Sequence, residues 1–308
     1  MLRVNLIENE KNDFQQHLEK QLPGFNRRVN APFPYWHYFK LPSDYALENS
    51  LTIIKEKINE FVGSARQHLV TKKDKDNIQP ANFLEAILLS KDEDGSVFSD
   101  EEIQGNIYNI LMAGEDTTAH TLSWALYFMS EHREIQIKMQ QEADLVLGQQ
   151  NIPPDWSSIE KLIYIEAVAN ETLRLKGAAP LLFLEANIDV ELDGLLIPKE
   201  TLIMLINRHG ALQEKNFCDA HQFNPDRWLN VKSNNCIHNN NAFLPFGGGP
   251  RSCPGRNLSM VEMKMALAMV CKNFTVSRVD NDAPVREVFS FTMMPDSLKV
   301  KFEKRKPH

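Results

Sequence analysis

The stretch FGGGPRSCPGRNLSM, residues 246–260, places four glycines, two prolines and one cysteine directly before an apolar segment with helical spacing. Proline suits the first turn of a helix because it has no amide hydrogen to leave unpaired, so Pro254 predicts a helix that begins there. Cys253 would then lie at a helix N-terminus, where the dipole and the free amides favour the thiolate, the form that binds a metal. The alternative is a buried structural cysteine beside a turn.

The residues around Cys253 favour the metal-binding interpretation. Arg251 lies two positions away and adds a positive charge. Glycines let a backbone approach a large flat ligand or adopt a positive φ angle. The glycines of this loop are Gly247, Gly248, Gly249 and Gly255. A loop that brings a thiolate to one face of a planar ligand needs these elements.

Composition and charge indicate a globular chain with a small-molecule or protein partner. Of its 308 residues, 43% are hydrophobic, and the net charge of −7 provides no cationic surface for nucleic acid. The four cysteines, at positions 218, 236, 253 and 271, form no CxxC pair, so we expect reduced thiols rather than a disulfide scaffold or a zinc ribbon. Neither a signal peptide nor a membrane-length apolar window is evident, so we expect a cytoplasmic chain without a membrane segment.

The hydrophobic pattern predicts a mainly α fold with small β-sheets. Helical spacing covers residues 45–70, and a capping box formed by Ser99 and Glu102 begins a longer helix that continues to about residue 130. Two more helices are expected, over 132–147 and 159–175. The pattern then changes. The stretches with strand character are Val190–Leu192, the runs LLIP and TLIMLI, and the alternating residues Leu298, Val300 and Phe302.

The cysteine loop resembles the FxxGxRxCxG pattern of the cytochrome P450 family, the haem-thiolate monooxygenases. The matching positions are Phe246, Gly249, Arg251, Cys253 and Gly255. By this resemblance Cys253 is the iron ligand of haem b, Phe246 packs near its sulfur and Arg251 pairs with a haem propionate. Gly247, Gly249 and Gly255 are implied to lie against the cofactor. The thiolate would push electron density toward the iron and favour O–O cleavage.

A second motif, AGEDTT at 113–118, lies within the long capped helix and resembles the oxygen-activation motif of the family. Gly114 and the threonine hydroxyls are expected to weaken the helix and open a groove, since a hydroxyl competes for a carbonyl. By analogy, Ala113 and Gly114 border the cofactor, Thr117 hydrogen-bonds the oxygen species and Asp116 helps to deliver protons. The alternative is an ordinary surface helix.

Two further motifs complete the family pattern. ETLR supplies Glu171 and Arg174 on one helix face, a pairing that is often only a solvated ion pair. FNPDRW places Arg227 where the family has its second arginine, which implies a structural Glu-Arg-Arg network before the cysteine loop. The four motifs follow one another in the order and at the spacing of the family.

The resemblance implies a single cytochrome P450 catalytic domain over 1–308 that is N-terminally truncated, lacking about the first third of a typical member. We expect substrate-roof helices in 1–98, the oxygen-activation and ExxR helices in 99–176, and small strands, the haem loop and a C-terminal helix and hairpin in 177–308. The residues expected to line the substrate pocket are Ala113, Ala179, Leu181 and Met294.

The resemblance also implies a reaction. The expected activity inserts one oxygen atom of O2 into a small apolar substrate, with NAD(P)H-derived electrons arriving through a separate ferredoxin, flavodoxin or reductase. One alternative is an incomplete chain that folds or binds haem poorly and is inactive. Another is a haem-thiolate isomerase or dehydratase. Because such relatives often lose the acid–threonine pair, Asp116 and Thr117 favour oxygen activation.

Overall fold

The computed structural model describes residues 13–71, 79–92, 94–229, 238–280 and 283–306. The chain divides into two compact units, Met1–Glu115 and Asp116–His308. The boundary lies within one long helix, which therefore contributes residues to both units. The expectation of a single domain over the whole chain stays a prediction.

The first unit is helical. Its helices are α1 Asp13–Glu19, α2 Gln21–Val29, α3 Pro42–Thr71 and α4 Phe83–Leu89, followed by the first half of α5, which spans Asp100–Glu131 in all. The helix predicted over 45–70 is therefore confirmed as α3 and begins three residues earlier. Its apolar stripe, including Ile54 and Ile58, packs with Ile103 and Ile107 of α5 in one buried cluster.

Helix α5 begins as its capping box predicts. The backbone amide of Ser99 donates to Glu102 Oε2 at 2.8 Å, and the amide of Glu102 donates to Ser99 Oγ at 3.3 Å. These reciprocal bonds satisfy amides that the first turn of a helix leaves free. The helix then runs without interruption through 113–118 to Glu131.

The second unit surrounds its core with the rest of α5 and five further helices. These are α6 Arg133–Leu147, α7 Trp156–Glu160, α8 Ile163–Lys176, α9 Asn207–Ala211 and α10 Arg256–Asn273. The single helix predicted over 159–175 is wrong, because the chain turns between α7 and α8. The carboxylate of Glu142, on α6, accepts from the amides of Tyr164 and Ile165 at 2.7 and 2.8 Å. A negative group there satisfies the free amides of α8 and complements its dipole.

The described strands form four two-stranded antiparallel sheets, all in the second unit. The strands are β1 Leu181–Glu185, β2 Val190–Leu192, β3 Leu195–Ile197, β4 Leu202–Ile206, β5 Phe274–Arg278, β6 Arg286–Ser290, β7 Thr292–Asp296 and β8 Val300–Lys304. They pair as β1 with β4, β2 with β3, β5 with β8 and β6 with β7. The mainly α fold with small sheets is thus confirmed. Strand β1 was not predicted from the sequence.

Strand β4 exposes an apolar face. Leu202, Met204 and Ile206 alternate along one side of the strand and are 79%, 53% and 55% exposed. Among the described residues the only partner of β4 is β1, so its second edge presents unpaired backbone groups. No helix in the described part of the chain combines the length and the apolar character needed to cross a membrane.

The expectation that the cysteines are all reduced thiols is wrong. Cys218 is disulfide-bonded, and Cys236 lies outside the described residues. Cys253 and Cys271 are free. The absence of a CxxC pair therefore does not exclude a disulfide, because two cysteines far apart in sequence can still come close enough to bond.

Candidate functional site

The Cys253 loop has a fixed backbone. The amide of Cys253 donates to the carbonyl of Phe246 at 2.8 Å, which closes the loop on itself. Gly247 and Gly249 have φ angles of +69° and +67°, in the left-handed region that side chains disfavour. These two glycines allow the chain to turn twice within the loop, so the glycine-rich composition has a direct geometric cause.

Helix α10 begins later than predicted. Its first residue is Arg256, and Gly255 is its N-cap, with φ −82° and ψ 0°. Pro254 therefore precedes the helix instead of occupying its first turn. The prediction was wrong because Gly255 adopts the sparsely populated bridge conformation, so the helical bonds begin after the proline. The first of them joins the amide of Ser259 to the carbonyl of Gly255 at 2.8 Å. Cys253 lies two residues before this cap.

The two free thiols have opposite environments. Cys253 is exposed, whereas Cys271 is fully buried and burial raises the pKa of its thiol far above the usual range. Cys271 therefore has the character of a structural cysteine. The alternative of a buried structural cysteine is wrong for Cys253, whose sulfur a ligand can reach.

Glu171 lies at the centre of a buried network. Its Oε1 accepts from Arg174 Nη2 at 2.8 Å, from Arg227 Nε at 3.0 Å and from the amide of Asn224 at 3.0 Å. Its Oε2 accepts from Arg174 Nε and from Trp228 Nε1, both at 2.9 Å. The side chains of Glu171 and Arg174 are completely buried, so the alternative of a solvated ion pair is wrong.

The two arginines use their remaining N–H groups to hold the chain between α9 and Arg227. Arg174 donates to the carbonyls of Ala211, Ala220 and Gln222. Arg227 donates to the carbonyls of Cys218 and Asp219. Each guanidinium thus links α8 to an irregular segment that has few backbone bonds of its own. Sequence reasoning found Glu171, Arg174 and Arg227 but gave no role to Trp228, although this residue ends the FNPDRW motif.

The AGEDTT motif, residues 113–118, lies on α5. Ala113 and Gly114 are exposed in the first unit, and a Cβ built on Gly114 would meet nothing within 4 Å. Asp116 and Thr117 begin the second unit and are half-buried. The expected competition between hydroxyl and carbonyl occurs one turn later, because Thr121 Oγ1 donates to the carbonyl of Thr117 at 2.8 Å, without breaking the helix.

Hairpin β6–β7 lies against α5. His120 Nδ1 and Thr292 Oγ1 are 2.8 Å apart, and Trp124 Nε1 donates to the carbonyl of Met293 at 3.4 Å. The amide of Met293 donates in turn to the carbonyl of Ala178 at 2.9 Å. The predicted lining residues Ala179 and Met294 each follow one of these two bonded residues in the chain. Leu181 begins β1 nearby in sequence.

Sequence reasoning missed His120, one turn after Asp116. Burial lowers the pKa of His120, and the negative charge of Asp116 opposes this shift. A histidine at the fourth position after an acid on a helix is a recognisable signal, because residues spaced i, i+4 share a face. The imidazole of His120 therefore connects the face of α5 that carries Asp116 to hairpin β6–β7.

Glu287, on strand β6 of hairpin β6–β7, forms ion pairs with residues of two helices. Its carboxylate pairs with Arg208 of α9, whose Nη2 lies 2.9 Å from Oε1, and with Lys176 at the end of α8. Hydrogen bonding from Arg208 lowers the pKa of Glu287 to about 2, burial opposes the shift, and Lys176 adds to it.

Comparison with known proteins identifies the class to which this fold and loop belong. The family model described as cytochrome P450 matches residues 2–302. Pentalenene oxygenase of Streptomyces avermitilis is 30% identical over 294 residues, which cover 95% of this chain and 62% of that protein. Ent-kaurenoic acid oxidase 1 of Arabidopsis thaliana is 32% identical over 290 residues, covering 91% of this chain and 56% of that protein.

The chain belongs to the cytochrome P450 family. A third relative, cytochrome P450 3A13 of Mus musculus, is 35% identical over 202 residues, covering 64% of this chain and 40% of that protein. The chain therefore spans roughly half the length of the curated relatives that it matches. Membership of the family implies a haem cofactor that works with O2 and electrons from a reductant. The expectation of N-terminal truncation stays a prediction.

We predict that Glu171→Gln lowers the free energy of unfolding by about 3–5 kcal/mol, because it leaves two buried guanidinium groups without their counter-charge. Denaturant titration followed by far-UV circular dichroism measures the change. Asp226→Asn is the matched control, since its ion pair with Lys138 is half-exposed and worth below about 1 kcal/mol. Equal losses in the two variants would contradict the role of the buried network.

We predict an acid-dependent loss of stability that Glu287→Gln removes. Because the pKa of Glu287 in the folded chain, about 2, lies below its ordinary value of 4.5, its pairs stabilise the fold fully above pH 4.5 and are lost as the pH falls toward 2. The free energy of unfolding, measured from pH 5.5 to 2.5, should fall less steeply in the variant than in the native chain. Parallel curves would contradict the prediction.

Proposed function

We propose that this chain is the catalytic part of a haem-dependent monooxygenase. The reaction inserts one oxygen atom of O2 into a small apolar organic substrate and releases the other as water, consuming two electrons and two protons. The electrons derive from NAD(P)H and arrive through a separate ferredoxin, flavodoxin or reductase. The observation that carries the proposal is the exposed thiol of Cys253 on a loop closed by its own backbone bond.

The residues of this loop fit a haem. A thiolate ligand needs an accessible sulfur on a rigid backbone, and Cys253 has both. A Cβ on Gly255 would approach the Cys253 sulfur to 3.7 Å, so the glycine keeps the surroundings of the sulfur open. Arg251 is exposed and available to a propionate, and Phe246 is half-buried at the start of the loop. When bound, haem b supplies oxygen activation and the thiolate donates electron density to it.

Asp116 and Thr117 are assigned to proton delivery. They are consecutive on α5, so a carboxylic acid and a hydroxyl share the same turn. A half-buried carboxylate can accept a proton from solvent and pass it through water to a hydroxyl, which holds it close to the reacting oxygen. Ala113 and Gly114, one turn earlier, are small enough to leave space for a planar ligand beside the helix.

The substrate wall is assigned to the segment after α8 and to hairpin β6–β7. The backbone bond between Met293 and Ala178 supports this assignment, because it joins the residues that directly precede Met294 and Ala179. Aliphatic and thioether side chains favour an apolar substrate. The names of pentalenene oxygenase and ent-kaurenoic acid oxidase describe oxidations of organic compounds by two relatives. A cytoplasmic location is part of the same proposal.

We predict that the chain, expressed with haem supplied, reduced and exposed to carbon monoxide, gives the strongly red-shifted Soret band of thiolate ligation, and that Cys253→Ala abolishes this band. Cys271→Ala is the control, because it removes the other free thiol from the core and should leave the band in place. A native chain without the band would support the inactive alternative. Haem uptake that is unchanged in Cys253→Ala would overturn the assignment of the ligand.

We predict that Thr117→Ala uncouples electron consumption from product formation, because the proton relay loses its hydroxyl. The ratio of product to NAD(P)H oxidised, measured with a redox partner and any apolar compound that the chain oxidises, should fall by about tenfold or more. Ser123→Ala, which removes a hydroxyl bonded to the Ala119 carbonyl on the same helix, is the control. Unchanged coupling in Thr117→Ala would count against the proton-relay role of this hydroxyl.

A further inference from the structure

The indole of Trp228 connects the buried carboxylate to the chain that leads into the cysteine loop. Its Nε1 donates to Glu171 Oε2 at 2.9 Å. Its ring lies 4.7 Å from the ring of Phe243 and 4.7 Å from that of His238, measured between centroids. One side chain thus contacts α8 through a hydrogen bond and the segment from 238 to 243 through its rings.

That segment continues directly into the loop. Phe243 is followed by Leu244, whose carbonyl accepts from the amide of Gly247 at 3.1 Å and from Asn207 Nδ2 at 3.2 Å. Phe246, three residues after Phe243, provides the carbonyl that holds the amide of Cys253. A shift of the Phe243 ring would therefore move the start of the hydrogen-bonded turn that presents the thiol.

The hydrogen bond determines how the indole is oriented. An indole N–H is a donor with no acceptor capacity, so pairing it with a buried carboxylate fixes the direction of the ring. Once the ring is fixed, its edge-on arrangement with His238, at 89°, and its tilted arrangement with Phe243, at 54°, follow. A phenyl ring at position 228 would fill similar space without this constraint.

We propose that Trp228 is a positioning residue for the Cys253 loop, acting through its hydrogen bond to Glu171 and its contact with Phe243. The Glu-Arg-Arg network then does more than brace the segment between 211 and 227. Through the indole it also fixes the chain that enters the loop. The effect of Trp228 on haem ligation by Cys253 rests on the proposed function. The effect of Trp228 on the conformation of the loop does not.

The test compares Trp228→Phe with Trp156→Phe. Both remove an indole N–H from a carboxylate, since Trp156 Nε1 donates to Glu160 Oε1 at 2.8 Å, but Trp156 is 59% exposed and far from the loop in sequence. The measurement is hydrogen exchange at the amide of Cys253 in the haem-free chain. In Trp228→Phe the exchange should accelerate by about tenfold or more, as the loss of a hydrogen bond to a charged group predicts. In Trp156→Phe the exchange rate should stay unchanged.

A second variant separates the ring contact from the hydrogen bond. Phe243→Leu keeps the indole N–H bonded to Glu171 but removes the aromatic contact, and it should accelerate exchange at Cys253 by a comparable factor. If Trp228→Phe does not fold, this variant decides the proposal. Native exchange rates at Cys253 in Phe243→Leu, or in a folded Trp228→Phe, would overturn it.

The haem-loaded chain provides an independent readout. In Trp228→Phe and Phe243→Leu, the fraction of the carbon monoxide complex that absorbs at the thiolate position should fall relative to the native chain and to Trp156→Phe. A native fraction in both variants would contradict a positioning role toward the ligand. If the native chain itself lacks the thiolate band, the proposed function fails, and the exchange measurement still decides whether Trp228 fixes the loop.

Discussion

The arrangement of the second unit depends on one buried carboxylate. Glu171 is removed from solvent together with the two arginines that it binds, and its oxygens also accept from an indole and from a backbone amide. Burying such charges is tolerable only when nearly all their hydrogen-bonding groups are matched. The arginines meet this requirement with backbone carbonyls of the segment between 211 and 222. The hydrogen bonds from Arg174 of α8 therefore hold this segment, which has little regular structure, in one conformation. The cysteine loop follows the segment along the chain.

Much of this could be predicted from the sequence, because the signals were local. The capping box at Ser99 appears as reciprocal hydrogen bonds at the start of α5, and the alternation near the C-terminus appears as β8. A positive φ angle, one of the two conformational roles expected of the loop glycines, occurs at Gly247 and Gly249. In each case a few neighbouring residues determine the conformation, and the family pattern added the order of the motifs. The assignments to cofactor, proton delivery and substrate stay predictions.

The parts that were missed depend on contacts between distant residues. Trp228 becomes important only because folding brings it to Glu171, 57 positions earlier in the chain. His120 meets Thr292 across 172 positions. The division of the helix predicted over 159–175 has a similar cause, since Glu142 from another helix caps α8 at its actual beginning. Helical periodicity contains no information about a cap that a different element provides.

The exposed face of β4 has a practical consequence for handling the protein. Leu202, Met204 and Ile206 form a continuous apolar row beside an unpaired strand edge, and an extended strand of this kind recruits another extended segment. The nearest such segment in a concentrated solution is β4 of a second molecule. Preparations of this chain would then lose material to self-association that increases with concentration. A charged residue in place of Met204 would oppose that association while leaving the pairing of β4 with β1 intact.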